Sequence, residues 1–165
     1  MDTIDWLREY APGFQALSDV ERQTITEFSL LWSLYEAKAL NKNGSASAIV
    51  ASSARWARDG VLTTETFGQE LAYFRNRYVA DGQFTYHFDH LHLRANDEPR
   101  IVVEVLKGED TVPERIAAAV LIIVYRYRNN LFHGLKWAYE LQGQLDNFTH
   151  ANTALMRALE LHNAV

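Results

Sequence analysis

The segment Ile116-Ala117-Ala118-Ala119-Val120-Leu121-Ile122-Ile123-Val124 limits the fold of this chain more than any other feature. Just before it, Thr111-Val112-Pro113-Glu114 reads as a capping box with proline in the first turn, where a missing N–H is no loss. A helix running on from there is apolar around its whole circumference, so other elements must surround it. The pattern therefore demands the centre of a helical bundle. With Tyr125 the apolar run reaches ten residues, whereas a membrane span needs about 20. A soluble core helix is the expected outcome.

The flanking segments supply the surround. Ser18-Asp19-Val20-Glu21 reads as a second capping box, opening a helix that should run to about residue 40 and stop in Asn41-Lys42-Asn43-Gly44. Within it Ile25, Phe28, Leu31, Trp32 and Tyr35 follow helical spacing. A small-residue helix is expected over about residues 45–59, ending at Gly60. Another is expected over about residues 64–79, with Phe67, Leu71, Phe74 and Tyr78 on one stripe. A last helix, about residues 144–161, should turn Phe148, Ala151, Leu155 and Leu159 inward. Residues 81–107 fit two patterns. Phe84, Tyr86 and Phe88 alternate like a strand and Ile101-Val102-Val103-Glu104-Val105-Leu106 is β-branched, but helical flanks favour two short helices over a hairpin. The predicted fold is all-α: an up-and-down bundle of about five or more helices with a central insertion. At 165 residues the whole chain, 1–165, is expected to form one domain.

Composition narrows the function classes. There is no cysteine, so neither a disulfide framework nor a thiolate metal site can form, which fits a cytoplasmic protein. Met1-Asp2-Thr3-Ile4-Asp5-Trp6 is acidic and lacks the apolar segment of a secretory signal. With 16 basic against 21 acidic residues the formal charge is −5. A general nucleic-acid coat relies on a basic excess and counterion release, so any such role must rest on a local cluster.

One cluster stands at the end of the central helix. The apolar run gives way abruptly to Arg126-Tyr127-Arg128-Asn129-Asn130, followed by His133. Buried guanidinium groups are costly unless paired, so this end must reach a surface, a cleft or a subunit interface. Arginine offers a planar fork of permanent positive charge to a phosphate, histidine exchanges a proton near neutral pH, and asparagine can orient either. On a helical projection Arg126, Asn129, Asn130 and His133 share an arc of roughly 100°, whereas Arg128 lies about 140° from His133. Those two converge only through a distorted helix, a wrapped side chain or a second subunit. The same residues also fit a plain helix end, with the arginines on acids such as Glu36 and Gly134 as the C-cap.

Tyr125-Arg126-Tyr127-Arg128-Asn129-Asn130-Leu131-Phe132-His133-Gly134 resembles the signature of the HEPN superfamily, helical bundles carrying arginine, often a polar residue, then histidine after four to six residues. Arg128 to His133 has four residues between and Asn129 directly after the arginine; Arg126 to His133 has six and also fits. Phe28-Ser29-Leu30-Leu31-Trp32-Ser33-Leu34-Tyr35-Glu36-Ala37-Lys38 is similar to the early helix of some bacterial members, so the likeness covers about residues 18–38 and 116–161. It implies a metal-independent endoribonuclease without a cofactor, often a toxin or defence effector, working as a homodimer on an RNA substrate. His133 would be general base or acid, Arg128 would stabilise charge at phosphorus, and Asn129 would hold His133 or the phosphate. Arg126, Asn130 and Lys136 would be auxiliary substrate contacts. An antitoxin or a nucleotidyltransferase is the kind of partner implied. The alternative is a non-catalytic module that binds nucleotide or RNA through the same cleft.

Other features fit ordinary packing better. His87, Asp89, His90 and His92 are metal-capable types, but their aromatic neighbours and the lack of a second ligand set argue against a metal site. Trp32, Trp56 and Trp137 read as core, and Gly44-Ser45 as a loop with no phosphate-cradle pattern.

Overall fold

In the computed structural model, which describes residues 2–133, 141 and 143–164, eight α-helices account for nearly all of the architecture. The first, α1 (Thr3–Tyr10), carries a short apolar stripe, Ile4 and Leu7 with Ala11 just beyond it, of which Leu7 and Ala11 pack on the core. It starts because the Asp2 carboxylate accepts the Asp5 N–H at 2.8 Å, and none of its residues is buried. A 3₁₀ turn, Phe14–Ala16, leads into α2 (Asp19–Lys38).

The capping box at Ser18 forms as its spacing predicts. The Glu21 N–H donates to Ser18 Oγ at 3.2 Å and the Ser18 N–H to Glu21 Oε2 at 2.9 Å. Ser18→Ala is expected to lower stability by about 1 kcal/mol in a denaturant titration, the usual worth of such a cap. The Ser18 N–H, ahead of an opposing desolvation effect, holds the Glu21 carboxyl below its ordinary 4.5. The part that depends on Glu21's charge is therefore present above that pH and lost as the pH falls through the lowered value. The helix ends where the breaker stands, and Asn41 and Lys42 take the left-handed backbone, φ 51° and 62°.

Next come α3 (Ala46–Arg58), which stops before Gly60 at φ 73°, and α4 (Gly68–Tyr78), whose stripe Phe67, Leu71, Phe74 and Tyr78 is buried. In the ambiguous stretch the two favoured short helices form, and the hairpin that is present pairs residues 79–80 with 83–84 rather than the alternating and β-branched segments. Two-residue strands β1 (Val79–Ala80) and β2 (Gln83–Phe84) pair antiparallel across Asp81-Gly82, both at positive φ, the turn such a tight hairpin requires. After Phe84 the alternation ends, because Phe88 comes back to stack on Phe84 at 3.9 Å in α5 (Tyr86–Asp89). A 3₁₀ turn, Ala95–Asp97, precedes α6 (Pro99–Leu106).

The central helix α7 (Pro113–Phe132) is as the sequence demands: every residue from Ile116 to Val124 is buried, packed mainly against α3 and α6. Its start differs in detail. Pro113 is the first helical residue, so Val112 is the N-cap and Thr111 falls out of register for a capping box. The Asp110 carboxylate accepts the Val112 N–H at 3.0 Å instead and binds Arg115 at 2.7 Å.

The last helix, α8 (Leu145–Asn163), buries Phe148, Ala151 and Leu155, with Leu159 half-buried. Phe28 meets Phe148 at 5.0 Å, the Gly143 N–H donates to Glu21, and Leu34 shares a groove with Met156, so α2 and α8 run parallel. Against α4, α8 runs the other way: Arg157 lies beside Glu70, and His150 on Tyr73. These directions gather the C-terminal ends of α4 and α7 and the N-terminal end of α8 at one pole, where Tyr127 touches Phe74, Tyr78 and Phe148. No described helix is long and apolar enough to cross a membrane.

Candidate functional site

The polar turns of α7 divide into an inner and an outer set. Arg126 is inner, about 1% exposed. Its Nε donates to the Leu91 carbonyl at 3.0 Å, one terminal nitrogen to Asp97 Oδ2 at 3.0 Å and the other to Asn130 Oδ1 at 3.3 Å. The Asn130 amide in turn donates to the carbonyls of His90 at 3.2 Å and Leu91 at 3.3 Å. Asp97 also accepts the Arg94 N–H at 2.8 Å. Burial lowers the Arg126 pKa and the Asp97 carboxylate opposes that shift. The expectation that Arg126 and Asn130 contact substrate is thereby corrected. Both side chains are filled by protein atoms, and a phosphate would have to displace Asp97 from a buried pair.

The acid partner is Asp97, not Glu36. Glu36 accepts the Trp32 indole N–H at 3.3 Å, and its carboxylate lies over Gly44, where an added Cβ would collide with Oε1. Nothing in the sequence joins positions 97 and 126, and Asp97 stands beside Glu98 with no local sign of which acid turns inward.

The outer set is Arg128, Asn129 and His133. Arg128 is half-buried, its guanidinium over the Phe132 ring at 5.4 Å and one terminal nitrogen donating to Asn129 Oδ1 at 2.9 Å. Among the described residues it has no carboxylate within ion-pair distance. Asn129 is buried, and its carbonyl accepts the His133 N–H at 2.9 Å, which caps the helix. Asn129 thus touches both neighbours, its side chain holding the arginine and its main chain the histidine. The His133 residue is exposed. No hydrogen bond, ion pair or ring contact joins the Arg128 and His133 side chains among the described residues, as the helical projection foretells. Of the two arginines at motif spacing, Arg126 is enclosed and Arg128 reaches the surface. Lys136, Gly134 and Trp137 lie outside the described residues.

Beside this turn two buried phenols, Tyr78 and Tyr127, share a hydrogen bond of 2.5 Å. Burial pushes the Tyr78 pKa up to about 12 and that of Tyr127 well above its ordinary value, so neither can supply a phenolate base at neutral pH. The histidine-rich segment packs on aromatic rings: Tyr86 lies 4.0 Å from His87 and 5.9 Å from His90. No group of three or more metal-capable side chains converges among the described residues. Trp32 and Trp56 are core residues. None of three comparisons, with protein-family models, curated proteins and solved structures, finds a match to this chain.

Proposed function

We propose that the chain is a metal-independent endoribonuclease of the HEPN type, a cytoplasmic toxin or defence effector that acts as a homodimer. Its partner would be an antitoxin or a nucleotidyltransferase. The ribose 2′-oxygen attacks the adjacent phosphorus and the bond to the 5′-oxygen breaks, leaving a 2′,3′-cyclic phosphate and a 5′-hydroxyl. His133 removes the 2′-hydroxyl proton or protonates the leaving oxygen. Arg128 balances the charge that grows on the phosphoryl oxygens. Asn129 keeps Arg128 in place.

The observation that supports this reading best is the pairing of an arginine that has no carboxylate partner among the described residues with an exposed histidine through one buried asparagine. In a chain of charge −5, an arginine that reaches the surface and meets no carboxylate among the described residues is suited to an anion. The experiment is RNA cleavage by the purified protein in the presence of a metal chelator, with Arg128→Ala as the control; loss of cleavage in chelator would overturn the metal-independent reading.

One observation favours the rival, a silent RNA-binding module: Arg128 and His133 stand about 140° apart on the helix and do not touch. A two-fold pair answers it by setting Arg128 of one subunit opposite His133 of the other. Binding without cleavage would decide for the rival.

A further inference from the structure

Cleavage by 2′-oxygen attack moves two protons. One leaves the 2′-hydroxyl as its oxygen closes on phosphorus, and another reaches the 5′-oxygen as that bond breaks. His133 serves one of these transfers, which leaves the other without a carrier. The face of α7 that carries His133 brings a second imidazole to the same end of the helix.

On a helical projection His133 lies about 20° from Arg126 and about 60° from Asn130, one turn further on than Asn130. Arg126 and Asn130 are the side chains that hold the 90–97 segment against the helix. The His90 carbonyl accepts from the Asn130 amide at 3.2 Å, and the Leu91 carbonyl accepts from Asn130 and from Arg126 Nε. Asp97 then binds Arg126 one turn back. The segment therefore runs down α7, away from its C-terminal end, and residue 90 stands at the end nearer His133. Side chains three apart on a helix have Cβ atoms about 5–6 Å from each other and lean toward the N-terminus. The His133 side chain is thus directed over the turn to which residue 90 is bonded. Leu91 turns into the core at 1% exposed, whereas His90, like His133, is exposed. The His90 ring has Tyr86 edge-on at 5.9 Å and the His92 ring at 6.2 Å.

We propose that His90 is the second imidazole of the site, working beside His133 of the same subunit while Arg128 comes from the other. One histidine, neutral, takes the 2′-hydroxyl proton. The other, protonated, gives its proton to the 5′-oxygen, which keeps the electron pair of the broken P–O bond. The inference rests on the nuclease reading above and supplies the proton carrier that reading lacks. The buried clamp of Arg126, Asp97 and Asn130 then positions a reacting group, because it fixes the backbone of residue 90 on the helix that ends in His133.

The test uses the full chain in chelator and a short RNA that the parent cleaves, made with either oxygen or sulfur at the 5′ position of the cleaved linkage. Sulfur departs as thiolate and needs no proton. His90→Ala should cut the oxygen RNA about 10²–10⁴-fold more slowly. Its melting temperature should match the parent's, since the bond to Asn130 uses the main-chain carbonyl. On the sulfur RNA, whichever of His90→Ala and His133→Ala lacks the acid should recover to within about tenfold of the parent, and the other should stay slow. His92→Ala should cut both RNAs at the parental rate. Mixed with Arg128→Ala, His90→Ala should regain about a quarter of parental activity; mixed with His133→Ala it should regain none, because both histidines serve one site. Parental cleavage of the oxygen RNA by His90→Ala, or recovery of neither variant on the sulfur RNA, would overturn the proposal. Either result leaves the nuclease reading standing as long as the parent cleaves, whereas a parent that cuts no RNA sinks both.

Discussion

Alanine at His133 is expected to lower RNA cleavage by about 10²–10⁴-fold, the range of a general acid or base, while the protein melts within about 0.5 kcal/mol of the parent. The small stability effect follows from the residue's position. Its residue is exposed, and the hydrogen bond that caps α7 comes from its main-chain N–H, which alanine retains. Arg128→Ala should lower cleavage by about 10²–10³-fold through lost charge stabilisation at phosphorus. Its fold effect is also small, since among the described residues its side chain bonds Asn129 and lies over the Phe132 ring, with no buried ion pair to break. A mixture of the two inactive chains is informative. If Arg128 and His133 meet across a two-fold axis, half the pairs are mixed and each carries one intact site, so about a quarter of parental activity returns. A polar helix end that only builds an interface gives another result. Sedimentation would then show both variants as monomers, with no catalytic property to lose.

The second large effect concerns the buried pair. Asp97→Ala should destabilise the protein by about 3–5 kcal/mol, because it strands the Arg126 guanidinium in a dry interior. For a chain of this length that corresponds to a fall of roughly 6–20 °C in melting temperature. The Arg94 N–H loses its acceptor as well, which loosens the turn that carries Asp97. Replacing both partners with apolar residues, Arg126→Met with Asp97→Leu, should be much milder than the single change, since no charge is left unpaired. Thermal melts of the parent and the two variants decide it. An Asp97→Ala protein as stable as the parent would mean that the clamp between α7 and the 90–97 segment carries no weight.

These two predictions draw on different kinds of information, and the difference shows how far the sequence could be read. Local signals were legible. The Ser18 box, the Asn41–Gly44 breaker, the stop at Gly60 and the all-round apolar run of α7 each act within a few residues, and each stands where expected. The start of α7 was misread by one position, because a proline that opens a helix also decides which residue caps it. α1 escaped because its apolar stripe, Ile4 and Leu7 with Ala11, spans only two turns and buries none of the helix's residues fully. In residues 81–98 alternation and helical spacing compete over stretches of two to four residues, and packing of Phe84 on Phe88 settles it.

At the candidate site, the shift from apolar to polar at Arg126 marked the place, but not which side chains face out. Both arginines fit the motif spacing. What separates them is Asp97, 29 residues away in the chain, which draws Arg126 inward and leaves Arg128 at the surface. A partner at that separation leaves no periodic trace. The bond from Asn130 to the His90 carbonyl escaped for the same reason, since its partners stand 40 residues apart.

The most direct measurement is the chemistry of the RNA ends made by the purified protein in chelator. The account predicts fragments bearing 2′,3′-cyclic phosphate and 5′-hydroxyl termini, absent when either Arg128 or His133 is alanine. Fragments bearing 5′-phosphate, or cleavage that survives both substitutions, would contradict it.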